Sequence, residues 1–280
     1  MEGELFALLG VNGAGKSTTI NMICTLLKKT SGDVWVCGNE LGRNDDKIRK
    51  SIGVVFQGNM LDNMLTAEEN LMSRASFYGI SGADAKKRVK YIAEKLSMTS
   101  FLKSKYEKLS GGQRRKCDIA RALISNPKIL FLDEPTTGLD PQSRIDLWKT
   151  VDEIRTQDKM TVFLTTHYME EAEKTDRAAI IDNGKILCLD TPQKLKSEYS
   201  NDTLRLVVKS GCDDALTSFL KNEKLEYIHT ADTYSLTVNN SDRSIDLLSD
   251  LKQSIESFEL VKGNMDSVFL NVVGRAFANE

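Results

Sequence analysis

The chain has 280 residues, 40% of them hydrophobic and 28% charged, with a formal net charge of −2. Those proportions are ordinary for a globular protein and exclude a disordered, fibrous or collagen-like chain. The charge is divided unevenly: residues 201–280 hold eight Lys/Arg against thirteen Asp/Glu, a net of −5 that leaves +3 on residues 1–200, and this balance gives no basic footprint for nucleic acid.

The longest unbroken apolar run is five residues, Leu5–Leu9, against the roughly 20 that a membrane-spanning helix needs, so the chain is not expected to cross a bilayer. No secretory leader pattern opens it, and the cytoplasm is the expected compartment. Five cysteines, Cys24, Cys37, Cys117, Cys188 and Cys212, are odd in number, widely spaced and without metal-ligand spacing, which predicts reduced thiols.

Residues 1–200 alternate short apolar strands with helices, the rhythm of an α/β domain with a largely parallel sheet. A strand over 4–9 leads into a Gly-rich turn and a helix over 16–27, and 33–37 and 52–56 are two further strands. From 57 to 108 the chain reads as a helical insert. Thr66 and Glu69 stand there at capping-box spacing, and a helix over 83–96 places Val89, Ile92, Ala93 and Leu96 on one face. Strands follow over 128–132 and 161–165, then a hairpin of 178–182 and 185–189 turning at Asn183-Gly184. A polar helix opened by Thr191-Pro192 fades by Asn201-Asp202, which places the expected domain boundary near residue 200. Beyond it, strand 204–208, helix 213–221, strands 225–230 and 234–238, helix 244–255 and strand 258–261 spell a β-α-β-β-α-β, ferredoxin-like order. Ile245, Leu248, Leu251 and Ile255 are the helix face expected to pack on that sheet.

Gly10-Val11-Asn12-Gly13-Ala14-Gly15-Lys16-Ser17-Thr18 follows a predicted strand and opens a predicted helix, the context a P-loop requires. Glycines let the backbone approach a phosphate closely, and the helix N-terminus adds free N–H donors and partial positive charge. Lys16 suits the β- and γ-phosphate oxygens, and the Ser17 hydroxyl suits one octahedral position on Mg²⁺. The expected fold is therefore α/β: a P-loop NTPase core with a mostly parallel sheet and a helical insert at 58–108, plus a small α+β unit at 201–280.

The apolar run at 128–132 ends in Asp133 and Glu134, two carboxylates at the carboxyl end of a strand, where α/β ligands sit. Asp133 suits direct or water-mediated contact with Mg²⁺; Glu134 suits a base or positioning group for an attacking water. Leu109-Ser110-Gly111-Gly112-Gln113 precedes a helix over 114–124, with Ser110 at the N-cap and two glycines that admit close backbone approach, a second anion-binding helix end.

Together the P-loop, this Leu-Ser-Gly-Gly-Gln and the Leu-Asp-Glu-Pro after it resemble the nucleotide-binding domain of ATP-binding cassette (ABC) proteins, over residues 3–195. Gln57 in Val-Val-Phe-Gln resembles the family's Q-loop glutamine, Asp140 in Gly-Leu-Asp the D-loop acid, and His167 in Thr-Thr-His the switch histidine. The resemblance implies ATP as substrate and Mg²⁺ as cofactor. It also implies a head-to-tail dimer with a second copy, in which Ser110, Gly111 and Gly112 act on the γ-phosphate held by the partner's P-loop, with Gln113 beside them in the nucleotide-binding set. Glu134 is then the general base, His167 a γ-phosphate contact, and Gln57 a link between Mg²⁺ or water and the helical insert. Residues 265–274 resemble the closing segment of the drug-export branch, of the daunorubicin- and bacitracin-resistance type, whose ATPase is a separate chain paired with a membrane permease. That implies a cytoplasmic protein peripheral on the inner face of the membrane. Relatives also carry a segment ahead of the P-loop strand with an aromatic for adenine; here the P-loop begins at residue 10, and weaker ATP binding is expected of this form. A soluble ABC ATPase acting on ribosomes or DNA is the alternative.

The basic triples Lys86-Lys87-Arg88 and Arg114-Arg115-Lys116 are expected to be solvated helix faces, and His229 a structural residue. Met60, Leu61, Met64, Leu65, Leu71, Met72 and Phe77 are either core or a docking surface for a permease helix.

Overall fold

Short runs of Leu, Ile and Val become the strands of the first unit and the segments between them its helices, in a computed structural model that describes residues 1–58, 60–238 and 241–278. In chain order these are β1 (Leu5–Leu9), α1 (Lys16–Ile23), β2 (Trp35–Val36), β3 (Asn39–Glu40), α2 (Asp45–Ser51), β4 (Ile52–Val55), α3 (Ala67–Phe77), α4 (Gly82–Lys95), α5 (Gly111–Leu123), β5 (Ile129–Asp133), α6 (Pro141–Asp158), β6 (Thr161–Thr166), α7 (Met169–Ala172), β7 (Arg177–Asp182) and β8 (Lys185–Asp190). Strands β4, β5, β6, β1 and β7 pair in parallel in that order. β8 returns beside β7 through Asn183 and Gly184, both at positive φ (46° and 75°), the backbone that a two-residue primed turn demands. The carboxyl ends of β4, β5, β6 and β1 therefore lie side by side, and the chain leaving each one carries a predicted site residue.

Local chemistry explains where the elements stop. α1 ends at Ile23, four residues short of the predicted helix, because Thr25 turns left-handed (φ 64°), its N–H bonds Met22 O and that of Leu26 bonds Asn21 O. This is a Schellman closure with Thr where Gly is usual. The strand expected over 33–37 shrinks to β2, which pairs with β3 across Cys37 and Gly38 (φ 49° and 76°) as a separate two-stranded ribbon. In the insert, Thr66 and Glu69 close a reciprocal capping box at 2.8 and 3.1 Å. Val89, Ile92 and Ala93 along α4 and Leu96 at its C-cap are all buried, as their spacing predicts.

The second unit begins at Asp190 and runs to the C-terminus, while the first covers Met1–Leu189. It contains α8 (Pro192–Tyr199), β9 (Asp202–Val208), α9 (Asp213–Asn222), β10 (Tyr227–Thr230), β11 (Thr233–Val238), α10 (Ser241–Leu251), β12 (Ile255–Val261) and α11 (Met265–Ala278). The sheet is antiparallel in the order β10-β11-β9-β12, the ferredoxin-like arrangement. α8 belongs to this second unit. α11, a helix that the sequence reading leaves unassigned, packs on α8, and Asn271 Nδ2 donates to Tyr199 O at 2.7 Å. The helix expected over 244–255 stops at Leu251 and Ile255 opens β12. Its buried face is Leu247 and Leu251, with Leu248 partly covered, whereas Ile245 is 60% exposed. No helix among the described residues is long and apolar enough to cross a membrane.

Candidate active site

Between β1 and α1 the backbone takes the left-handed region at Gly13 (φ 88°) and Gly15 (φ 108°), open to glycine at little cost. Gly10 is required for another reason: a Cβ there would stand 2.6 Å from the Ile181 carbonyl oxygen. Ala14 is buried beneath the loop. Lys16, the first residue of α1, is 5% exposed, and its Nζ donates to Gly10 O at 2.8 Å and Val11 O at 3.2 Å, which aims the ammonium into the loop. Asn12, Gly13, Gly15, Lys16, Ser17, Thr18, Gln57 and Glu134 line one cavity of about 250 Å³.

The end of β5 supplies the carboxylates. Asp133 is buried, its Oδ1 accepting from Thr165 Oγ1 and lying 3.4 Å from Ser17 Oγ. Glu134 turns left-handed (φ 45°), and its N–H donates to Thr165 O at 3.1 Å and Thr165 Oγ1 at 3.2 Å. Three predicted residues meet its carboxylate. Gln57 Nε2 donates to Oε2 at 3.1 Å, His167 Nδ1 is 3.5 Å from Oε2, and Lys16 Nζ is 3.7 Å from Oε1. The chain thus gathers on one carboxylate the groups that leave β1, β4 and β6.

Ser110, Gly111, Gly112, Gln113 and Asp140 do not join this cavity. Ser110 caps α5 in a reciprocal box with Gln113, whose Oε1 accepts from Ser110 N at 3.0 Å; the Ser-x-x-Gln spacing signals this box, although the sequence reading takes Ser110 alone as cap. Asp140 caps α6, and hydrogen bonds from the Ser143 hydroxyl and N–H hold its carboxyl below the usual range. Ser110, Gly112, Gln113, Leu139 and Ser143 line a cavity of their own.

The two basic triples are not simply solvated. Arg88 caps the end of α5, donating to Leu123 O at 2.7 Å and Ile124 O at 3.3 Å, where a cation meets the helix's free carbonyls. Arg115 is 8% exposed and reaches the backbone on both sides of Glu134. Three and six residues on, Asp118 and Arg121 are buried too. That helical spacing of alternating charge is the signal that separates Arg115 from its neighbours.

Burial pushes the Asp118 carboxyl up to about 6, against the pull of Arg115 and Arg121. Because the unfolded value is about 3.9, the folded chain holds this proton more tightly, and the group's contribution to stability is full at low pH and lost as pH rises through 6. Urea unfolding should then show Asp118→Asn losing less stability than the parent chain between pH 4.5 and 7, by about 2 kcal/mol. Equal pH slopes for the two proteins would contradict the assignment.

This geometry agrees with three comparisons. Residues 1–137 match the family model described as ABC transporter. The linearmycin resistance ATP-binding protein LnrL of Bacillus subtilis is 36% identical over 290 residues, covering 98% of this chain and 91% of the relative. Among solved structures, cbiO1 from Clostridium perfringens, described as part of the ABC transporter complex cbiONQ, superposes with a TM-score of 0.66 at 28% identity over 70% of this chain and 80% of that one. The ATP-binding cassette MJ0796, a dimer in a post-hydrolysis state bound to ADP and Pi, gives 0.61 at 32% identity over 68% and 86%. The chain belongs to the ABC transporter family, as one of its ATP-binding, ATP-hydrolysing proteins.

Proposed function

We propose that this ATPase is the motor subunit of a drug-type exporter, working as a head-to-tail homodimer on the inner face of a membrane through a separate permease. One observation carries this reading: Lys16, Gln57 and His167 converge on Glu134, while Ser110 and Gly112 line a different cavity of the same chain. A phosphate chain in the first cavity is then complete only when a second copy brings its own Ser110–Gln113 helix end to it. The dimeric MJ0796 structure and the resistance name of LnrL support this reading, and none of the three relatives is named for a ribosome or DNA.

In this mechanism the loop N–H groups and Lys16 grip the phosphates, Glu134 takes a proton from the attacking water, and His167 and Gln57 orient the reacting groups. Ser17 and Asp133, with Gln57 across the cavity, form a hard-oxygen set that suits Mg²⁺ arriving with the nucleotide, which needs only one or two protein ligands beside phosphate and water. When bound, Mg²⁺ neutralises phosphate charge. Met60, Met64 and Phe77, 58%, 65% and 76% exposed, form the part of the insert that meets the permease, whereas Leu71 is core. The second unit, with its acidic balance, is an accessory domain that strengthens the dimer.

Complementation tests the shared site. Lys16→Ala and Ser110→Arg chains should each be inactive alone, and an equal mixture should recover ATP turnover, because hybrid dimers rebuild one intact P-loop and signature pair. A mixture no more active than its parts would contradict the trans arrangement.

A further inference from the structure

Arg115 sits in the second turn of α5, the helix whose first residues form the signature end. Its side chain leaves that face and enters the interior, where Nε donates to Pro135 O at 2.7 Å and Nη2 to Asp133 O and Glu134 O, each at 3.2 Å. Nη1 donates to Phe56 O at 2.8 Å, the carbonyl just before Gln57. Four backbone carbonyls on two segments are thus held by one planar group. Only a guanidinium, with five N–H donors in a fixed fork, can span such a set; a lysine ammonium reaches fewer acceptors and fixes no plane.

What these carbonyls flank gives the contact its meaning. Glu134 lies in the left-handed region (φ 45°) that residues with side chains seldom occupy, and such a conformation persists only where its surroundings over-determine it. Thr165 holds the N–H of Glu134 from one side, and Arg115 holds the carbonyls of 133, 134 and 135 from the other. The same guanidinium fixes the residue before Gln57, whose Nε2 donates to the Glu134 carboxylate at 3.1 Å. Both the base and its amide partner are therefore referred to one side chain on the signature helix.

We propose that Arg115 is a positioning residue for ATP hydrolysis, locking the Glu134 backbone and the Gln57 loop in register with the signature helix. The proposal rests on Glu134 as the general base. It acts through Glu134 and leaves nucleotide affinity to the P-loop.

The test is a double-mutant cycle of Arg115→Gln and Glu134→Gln in the full chain, with single-turnover hydrolysis of radiolabelled ATP, ATP binding and thermal unfolding measured on each protein. Arg115→Gln should lower kcat by about 10²-fold, the scale of a displaced catalytic group, with KM for ATP changed no more than about twofold. Arg115→Lys should recover only part of that loss. In the Glu134→Gln background, Arg115→Gln should lower the residual rate no further, because a residue that acts through the base has nothing left to position. If Arg115→Gln does not fold, Arg115→Lys carries the same cycle. Near-parental kcat in the Arg115 variant, or losses that multiply in the double variant, would overturn the proposal. If Glu134→Gln itself keeps full turnover, the assignment of the base fails and this proposal with it; if Glu134→Gln is inactive and the Arg115 variant is not, Arg115 alone is at fault.

Discussion

Replacing Glu134 with Gln is expected to lower ATP hydrolysis by about 10³-fold, the usual loss when a general base is removed, while ATP stays bound. The amide keeps the length and shape of the carboxylate, so the left-handed backbone and its bonds to Thr165 are undisturbed. It loses the capacity to accept a proton from water. Lys16 lies 3.7 Å from one carboxylate oxygen, and removing that negative charge leaves more of the ammonium's field for the phosphates, so affinity should hold or rise. Phosphate release and equilibrium nucleotide binding, measured on the same preparation, separate the two effects. Turnover within about tenfold of the parent would remove Glu134 from the role of base.

Replacing Lys16 with Ala should instead weaken ATP binding, by about 10²-fold in Kd, since a charge-assisted hydrogen bond to phosphate in a buried setting is worth about 3 kcal/mol. Lys16 is nearly enclosed and its ammonium is aimed by Gly10 O and Val11 O, so little order has to be gained when phosphate arrives. Truncation also leaves those carbonyls without this donor, and thermal unfolding of the variant would read that separate cost. Kd within about threefold of the parent, in a chain that still folds, would contradict the placement of the phosphates against Lys16.

Much of the site is legible in the sequence because its parts are local. A P-loop announces itself through glycine spacing between a strand and a helix, and Asp133-Glu134 through its place after an apolar strand, whereas Gln57 and His167 stand out only through the family resemblance. Sheet topology then does what the sequence leaves implicit: parallel pairing of β4, β5, β6 and β1 brings Gln57, Glu134, His167 and Lys16 to one edge. Arg115 is missed for a physical reason. Three consecutive basic residues on a helix point in different directions, and composition alone does not say which of them turns inward; the spacing to Asp118 and Arg121 does. The early end of α1 is hidden because Thr25, and not glycine, takes the left-handed position. In the second unit the strand order is legible from alternation, but the face of α10 is not, since Leu247 and Ile245 lie two positions apart and only one is covered.

Light scattering on the purified Glu134→Gln chain, with and without ATP, tests most directly whether nucleotide joins two copies into one catalytic unit. An ATP-dependent doubling of mass is the predicted result, because hydrolysis is blocked and the closed dimer accumulates. A chain that binds ATP and remains monomeric at every concentration tried would contradict the account.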